Sequence, residues 1–599
     1  METTATPKPT ATPKPTDPYF RDLPQFTYIH DNIFKCRGAW FGLFVTGEGY
    51  GNETLELTSF HGSSLLARDK FKLIDIAPTY AGRKVPFAAA SAPDELTLHT
   101  RHGCVRFTFA SPTMMAAQGD PGMGLSFHKI MERHEIAKPR KDGAWEGMFR
   151  MNSSILFKGT GGSGFTFGRY WDWEKISSSE IHGTTTPAPD GTFTLIMEEF
   201  SHDAWVRDSY PTYEQAKADM LADWLSFDAA MPHFAAPFEE GRIKAQYTLW
   251  SHIMHPTGVV GHTLMLMIRN FISSQWQMCQ NAVAMQEHLG LAMDLMLGPQ
   301  ERVNDVGQFA DTYDDSIVIT HFTKPPIHGW AIKQVMAHHD LAVEAPREQV
   351  EKLYEIVGGF GDWFMANRDE DGDGLPSLHH SDETGLDDCT IFKDHLVVST
   401  PDIAAYLSLL FEAVGDLARI LGKGQPVVDG WYAKSRSLLE RLISVLWNGE
   451  MFAAYAPYAG EFITSGSLVH YIPVILGDRL PRHILDKLAD DLSVEGDFLC
   501  PYGLATEKLH SDDFKLSEMA FGRGCILPPT MIYICAGLLG SARKETGKMI
   551  ATRYLGALKD GDYPFLINPL TGEALLPGAG GSWPCCAYTI IARLLTEIG

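Results

Sequence analysis

Residues Glu351–Phe392 read EKLYEIVGGFGDWFMANRDEDGDGLPSLHHSDETGLDDCTIF. Leu353, Ile356, Val357, Phe360 and Phe364 recur at the i, i+3, i+4, i+7 spacing of an amphipathic helix, predicted over 347–367. The pattern stops at Asn367. A long polar loop follows, dense in carboxylates and histidines, before a second periodic segment at 400–422. A loop of that length inside a compact domain is usually functional.

The same texture extends through the C-terminal part of the chain. Helices are predicted at 239–255, 276–297, 325–341, 347–367, 400–422, 426–447, 468–476, 481–492, 528–540, 543–559 and 583–597, with SRSLLERLISVLW (435–447) as clear as the first example. Long loops fall in alternate gaps. This fits an (α/α)6 toroid of helical hairpins over 239–599, whose loops line one mouth where a ligand binds. No short fixed repeat is present, which argues against a solenoid.

Upstream the period changes from 3.6 to 2. ETLELTSF, FKLIDIAP, DELTLHT, CVRFTFAS, SSILFKG, FTFGRYW and TFTLIMEEF alternate apolar and polar residues between Gly, Pro and Asp turns. The fold class expected is therefore mainly α with a β domain: an N-terminal β-sandwich (19–211), a linker helix (212–238), then the toroid. Gly159-Thr-Gly161-Gly-Ser-Gly164 matches G-x-G-x-x-G, but a strand-like segment follows it. A dinucleotide fingerprint needs a helix N-terminus to hold the pyrophosphate, so a hairpin turn is expected instead. Residues 1–18, with a repeated ATPKPT, read as a disordered Pro/Thr-rich tail.

Composition narrows the function classes. The 599 residues carry 50 Lys+Arg against 74 Asp+Glu, a formal charge of −24, with 45% hydrophobic and 21% charged residues. Such a surface repels phosphate backbones and anionic lipid, so neither nucleic acid nor membrane is an expected partner. No apolar run is long enough to cross a bilayer and no signal-peptide core is visible, so a cytoplasmic location is expected. The nine cysteines show no zinc-like spacing and are expected to be reduced and mostly buried. Aromatic residues at 11% hint at sugar binding.

Within the polar loop, Asp369-x-Asp371-x-Asp373-Gly374 resembles the start of a calcium-binding EF-hand loop, but His380 stands where the bidentate Glu belongs. The turn is open to three readings: a plain acidic turn, a structural Ca2+ site completed by distant ligands, or a direct substrate contact. His379 and His380 are candidate substrate contacts. Asp387 and Asp388 could supply a general acid, since a carboxyl group shut in an aromatic cleft holds its proton near neutral pH.

Here the residues resemble a known family. GDGLPSLHHSDETGLDD (372–388) looks like the G-D-G-L-P-x-x-H-H segment of glycoside hydrolase family 63 and the related mannosylglycerate and glucosylglycerate hydrolases. Further pieces follow in the same order: Ser274–Gln277, Lys324-Pro-Pro-Ile-His328-Gly-Trp330, YIPVILGDRLP (471–481) with CPYGLATE (500–507), Gly522–Pro529, and NPLTGEALLPGAGGSWPCCA (568–587). The resemblance implies a β-sandwich with an (α/α)6 barrel, and inverting hydrolysis of α-glucosidic or α-mannosidic bonds without a required cofactor. It places the family's acid on Asp387. The family's base, a Glu, falls on Phe565, which cannot activate water. Gln277 replaces an Asp, and Gly522, Leu527 and Leu386 replace tryptophans.

An inverting hydrolase needs a second carboxylate across the scissile bond. Glu573 is the first candidate, with Asp562 and Glu507 as alternatives. Trp276, Gln277, Lys324, His328, Trp330, His379, His380, Asp388, Arg523 and Trp583 are the expected pocket residues. The leading expectation is thus an exo-acting glycosidase for a small or anionic aglycone, with oligomeric state open. Two other classes compete: an epimerase, isomerase or lyase using a His of the barrel mouth, and a sugar-binding protein without catalysis.

Overall fold

Buried and half-buried residues alternate along Leu96–Thr100 and Met123–Ile130, the period-2 signature of strands with one face covered. The computed structural model describes residues 33–46, 53–62, 72–149, 153–169, 171–201, 203–268, 271–559, 563–576 and 580–599. The expected tail, 1–18, lies outside the described residues.

The chain divides into two compact units, Met1–Phe227 and Asp228–Gly599. The first is an antiparallel β domain. One seven-stranded sheet runs Phe41–Thr46, Thr54–Ser59, Lys72–Tyr80, Met123–Ile130, Glu180–Thr186, Gly164–Arg169, with Arg83–Lys84 beside Lys72–Tyr80. An eight-stranded sheet runs Ile136–Pro139, Trp145–Phe149, Ser153–Thr160, Phe193–Phe200, Met114–Gly119, Gly103–Ser111, Leu96–Thr100, Ala88–Ser91. The sheets meet through phenylalanines: Phe157 of the second lies 5.5 Å from Phe127 and 4.9 Å from Phe165 of the first.

Two expectations change here. The glycine-rich 159–164 segment is a turn between strands, as its flanks predict, but not a hairpin. It joins Ser153–Thr160 of one sheet to Gly164–Arg169 of the other. Helix Tyr213–Asp228 is not a free linker. Tyr213 and Lys217 both bond Glu95 of the β domain (3.0 and 2.9 Å) and Met220 is buried, so the helix packs into the first unit.

The second unit is helical. Pro401–Ile420, Pro528–Leu539 and Ser582–Glu597 are buried around most of their circumference, whereas Gln425–Arg441 and Lys544–Leu558 bury only one face. That contrast separates core helices from covering ones. The predicted 276–297 helix is broken into Gln275–Ala284 and Leu289–Leu297. The guanidinium of Arg593 takes the carbonyls of Val283 and Ala284 (2.8 and 2.9 Å) and pairs with Glu287, ending the first helix there. Leu468–Arg479 is a kinked 3-10 segment rather than an α-helix, because Pro473 lacks an amide donor and Gly477 has φ 56°. All nine cysteines are free, and all but Cys104 are buried.

Candidate functional site

The loop after helix Arg347–Asn367 is fixed by one buried ion pair. Arg368 donates to both oxygens of Glu383 (3.0 and 2.9 Å), and Glu383 also accepts the backbone N–H groups of Thr323 (3.1 Å) and His379 (2.7 Å). The pair therefore ties the loop to the Lys324 segment. After the turn Ser381–Thr384, Gly385 takes φ 77°, and a Cβ there would lie 2.4 Å from the Trp276 ring. Only glycine lets the chain rest on that indole. Trp276 packs edge-on against Trp583 (5.4 Å), Trp583 against Phe565 (5.2 Å), and Phe565 against Phe521 (5.8 Å). Asp387 thus follows, by two residues, the glycine that rests on this aromatic cluster.

Its electrostatics follow from a shortage of positive charge. Lys324 is buried, its ammonium 2.6 Å from the Asp382 carboxylate, 2.8 Å from the Asp382 carbonyl and 3.9 Å from Asp311. Asp387 is hydrogen-bonded to Asp382. Three carboxyl groups surround one ammonium, so full ionisation leaves uncompensated negative charge in a poorly hydrated place. Loss of hydration, then the Asp382 charge, push Asp387 up to about 7, although its side chain still reaches solvent. Asp382 moves the other way. Burial opposes its charge, but Lys324 and the hydrogen bond from Asp387 outweigh burial and hold it below the usual range. Asp311 is pushed up to about 7 by burial, and its Oδ1 has no hydrogen-bond partner. The arrangement keeps a proton on Asp387 beside a carboxylate that cannot easily take it.

Other expected site residues fall into distinct surroundings. Asp388 accepts the Gly522 N–H (2.7 Å), and a Cβ on Gly522 would meet the Cys389 backbone at 2.7 Å, which excludes a tryptophan at 522. Arg523 donates to the Asp513 carbonyl (3.0 Å). His380 accepts the Asp382 N–H (3.1 Å) and packs on Phe322. His379 pairs with Glu370 (2.6 Å), which also takes the Tyr458 hydroxyl.

Some are not at a mouth. His328 is wholly buried between Phe309 and Phe360, with neither ring nitrogen hydrogen-bonded, and burial lowers it to about 3. It is a neutral core imidazole, not a base. Trp330 is buried edge-on against Tyr533. Gln277 accepts the Ser274 N–H (2.9 Å) and so caps its own helix, and Trp583 donates its indole N–H to Gln280. Lys324, expected to meet substrate directly, is held by aspartates.

Of the base candidates, Glu573 is half-exposed and accepts only the Thr571 hydroxyl (3.1 Å) among described side chains. Glu507 is buried, accepting from Thr390 (2.8 Å) and Ser511 (2.5 Å), and burial raises it. Asp562 lies outside the described residues. Asp369, Asp371 and Asp373 do converge, with one oxygen of each within 4.8 Å of the others. Each also accepts a backbone N–H of its own turn, and Asp373 pairs with Arg441 (3.3 Å). Such a turn can hold a hard cation, and the buried Asp369 Oδ1 has no hydrogen-bond partner of its own.

Asp382, Asp311 and the Arg368–Glu383 pair were not singled out in the sequence. Asp382 sits among seven other acidic residues between Asp369 and Asp388, and nothing local marks it.

The profile of the mannosylglycerate hydrolase MGH1-like glycoside hydrolase domain matches residues 236–582. No curated protein sequence matches the chain. Among solved structures, an uncharacterized conserved protein from Thermus thermophilus superposes with TM-score 0.50 at 15% identity, over 59% of this chain and 99% of that one. The family 63 mannosylglycerate hydrolase of the same organism, crystallised with Tris, gives TM-score 0.49 at 15% identity over the same shares. No described helix is long and apolar enough to cross a membrane. With the profile covering more than half of its length, the chain belongs to the mannosylglycerate hydrolase MGH1-like glycoside hydrolase domain family.

Proposed function

We propose that the protein is an inverting, exo-acting glycosidase that cleaves an α-glucoside or α-mannoside of a small or anionic aglycone, with Asp387 as general acid. The observation carrying this reading is the Asp387–Asp382–Lys324 cluster, which keeps a carboxyl proton available near neutral pH in a solvent-reachable position. In the proposed mechanism Asp387 protonates the glycosidic oxygen as the bond to the anomeric carbon breaks. Lys324 then offsets part of the charge left on the two aspartates.

Trp276, Trp583 and Phe565 are buried against one another, so their proposed role is to hold the Asp387 loop in place beside the sugar site. Arg523 is the proposed cationic contact for an anionic aglycone, such as the glycerate of the substrate for which the matching family is named. The contrast between all-round buried and one-face-buried helices supports the (α/α)6 reading of 239–599.

The second carboxylate is proposed to be Glu573. Ile526 bridges Ile567, and Ile567 bridges Ala574, so the Glu573 turn is tied to the loop whose Gly522 bonds Asp388. Its exposure leaves it free to take a proton from water, while Glu507 is engaged by two hydroxyls. Calcium at Asp369–Asp373 is proposed as structural only.

The test is a panel of α-glucosides and α-mannosides, with and without carboxylated aglycones, followed by proton NMR of the first-formed anomer. β-Anomer release supports the proposal; undiminished hydrolysis by Asp387→Asn overturns it. Carbon-bound proton exchange in D2O without hydrolysis would instead identify an epimerase or lyase. Calorimetric binding without turnover would identify a sugar-binding protein.

A further inference from the structure

A second constellation lies in the β domain and shares no residue with the hydrolytic proposal. Strands Met123–Ile130 and Glu180–Thr186 pair antiparallel with His182 opposite His128 and Glu180 opposite Ile130. Alternate residues of a strand share a face, so Glu180 and His182 point the same way, and directly paired residues do too. The register therefore forces three ligand-type side chains onto one patch. Glu180 Oε1 lies 2.9 Å from His128 Nε2 and 3.2 Å from His182 Nε2, and the imidazoles stack at 4.9 Å.

We propose that His128, Glu180 and His182 form a binding site for one borderline-soft divalent transition ion of the Zn2+ class. Metal–ligand bonds of about 2.0–2.2 Å put the edges of a tetrahedral site at roughly 3.3 Å. The observed N···O separations are already within a few tenths of an ångström of that edge, and all three ligand atoms lie within 4.8 Å of one another. Two neutral imidazoles and one carboxylate are a donor set that favours Zn2+, Ni2+ or Cu2+ over Ca2+ or Mg2+. Side-chain exposures of 33%, 51% and 65% for His128, Glu180 and His182 leave room for water to complete the coordination.

The surroundings favour a cation. In the next strand Asp75 lies opposite His128, and Glu56 lies opposite Asp75, so a row of acids continues across the sheet. Lys72 neutralises part of it, 3.1 Å from Asp75 and 3.6 Å from Glu56. Binding replaces any protons on the two coordinating nitrogens, so affinity falls in acid. Because the ligands come from two strands, the ion would also clamp them together.

The test is calorimetric titration of the EDTA-treated full chain with ZnCl2 at pH 7.5, beside His128→Ala, His182→Ala, Glu180→Gln and the double His variant. We expect a Zn2+ site whose affinity drops at least ~10-fold in each single variant and which the double variant lacks. Glycosidase turnover should stay unchanged in all four, which separates this site from the hydrolytic one. A double variant that titrates like the unaltered chain overturns the proposal, as does Mg2+ binding the patch as tightly as Zn2+. Cu2+ electron paramagnetic resonance of the unaltered chain supplies a measurement independent of variant folding: two-nitrogen coordination supports the site, and its absence counts against it.

Discussion

The two halves of the loop between Asn367 and Phe392 use the same residue type to opposite effect. In the first half, Asp369, Asp371 and Asp373 each accept a backbone N–H of their own turn. In the second half, Asp382 and Asp387 lose hydration and share Lys324, so one carboxyl is pushed up while its neighbour is held down. An aspartate's chemistry is set by what replaces its water. Burial raises Asp373 as well, but at Asp387 lost hydration and the Asp382 charge together push the carboxyl up to about 7.

The largest effect expected from breaking this contrast is at Asp387. Asp387→Asn should lower kcat/KM by about 10²–10⁴-fold in steady-state assays on the hydrolysed glycoside, while Asp371→Asn leaves it unchanged. Next comes the anchor between the halves. Glu383→Gln leaves Arg368 buried without its partner, and loss of about 3–5 kcal/mol is expected in urea denaturation.

Third, the charges around Asp387 should act with opposite signs on its titration. Asp382→Asn removes a charge that raises Asp387, moving the alkaline limb of the kcat/KM profile to lower pH. Lys324→Met removes one that lowers it, moving the limb upward; shifts on the order of one pH unit are expected. Limbs moving together would show that the two residues act on something other than the acid's proton.

Fourth, Asp311 binds a proton in the folded chain from about 3.8 to about 7 that the unfolded chain has already released. Its contribution to stability therefore falls as pH rises through that window. Asp311→Asn should gain in melting temperature relative to the unaltered chain as pH goes from 4 to 8. The smallest effect belongs to the first half: millimolar Ca2+ should raise the melting temperature by a few degrees at most, and Asp371→Asn should abolish that rise.

Much of the fold is legible in the sequence. The helices predicted at 347–367, 400–422 and 528–540 appear as Arg347–Asn367, Pro401–Ile420 and Pro528–Leu539, because a 3.6-residue apolar period survives in a single segment. The break at Met285–His288 was not legible, since the arginine that ends the helix is 310 positions away. The burial of His328 is not legible in the sequence for a related reason. Its motif neighbours suggested a mouth, but Phe309 and Phe360 enclose it.

The sequence alone determined the β-then-α order and the polar loop, and its family resemblance singled out Asp387 as the acid to examine, because propensity, periodicity and motif spacing are local and need no partner. Tertiary structure decided which carboxylates share Lys324, 58 residues before Asp382, and which histidines meet across strands, His128 lying 52 residues before Glu180. Proton affinity and metal geometry depend on distances of about 3–4 Å and on excluded water. Both arise only when remote segments pack together.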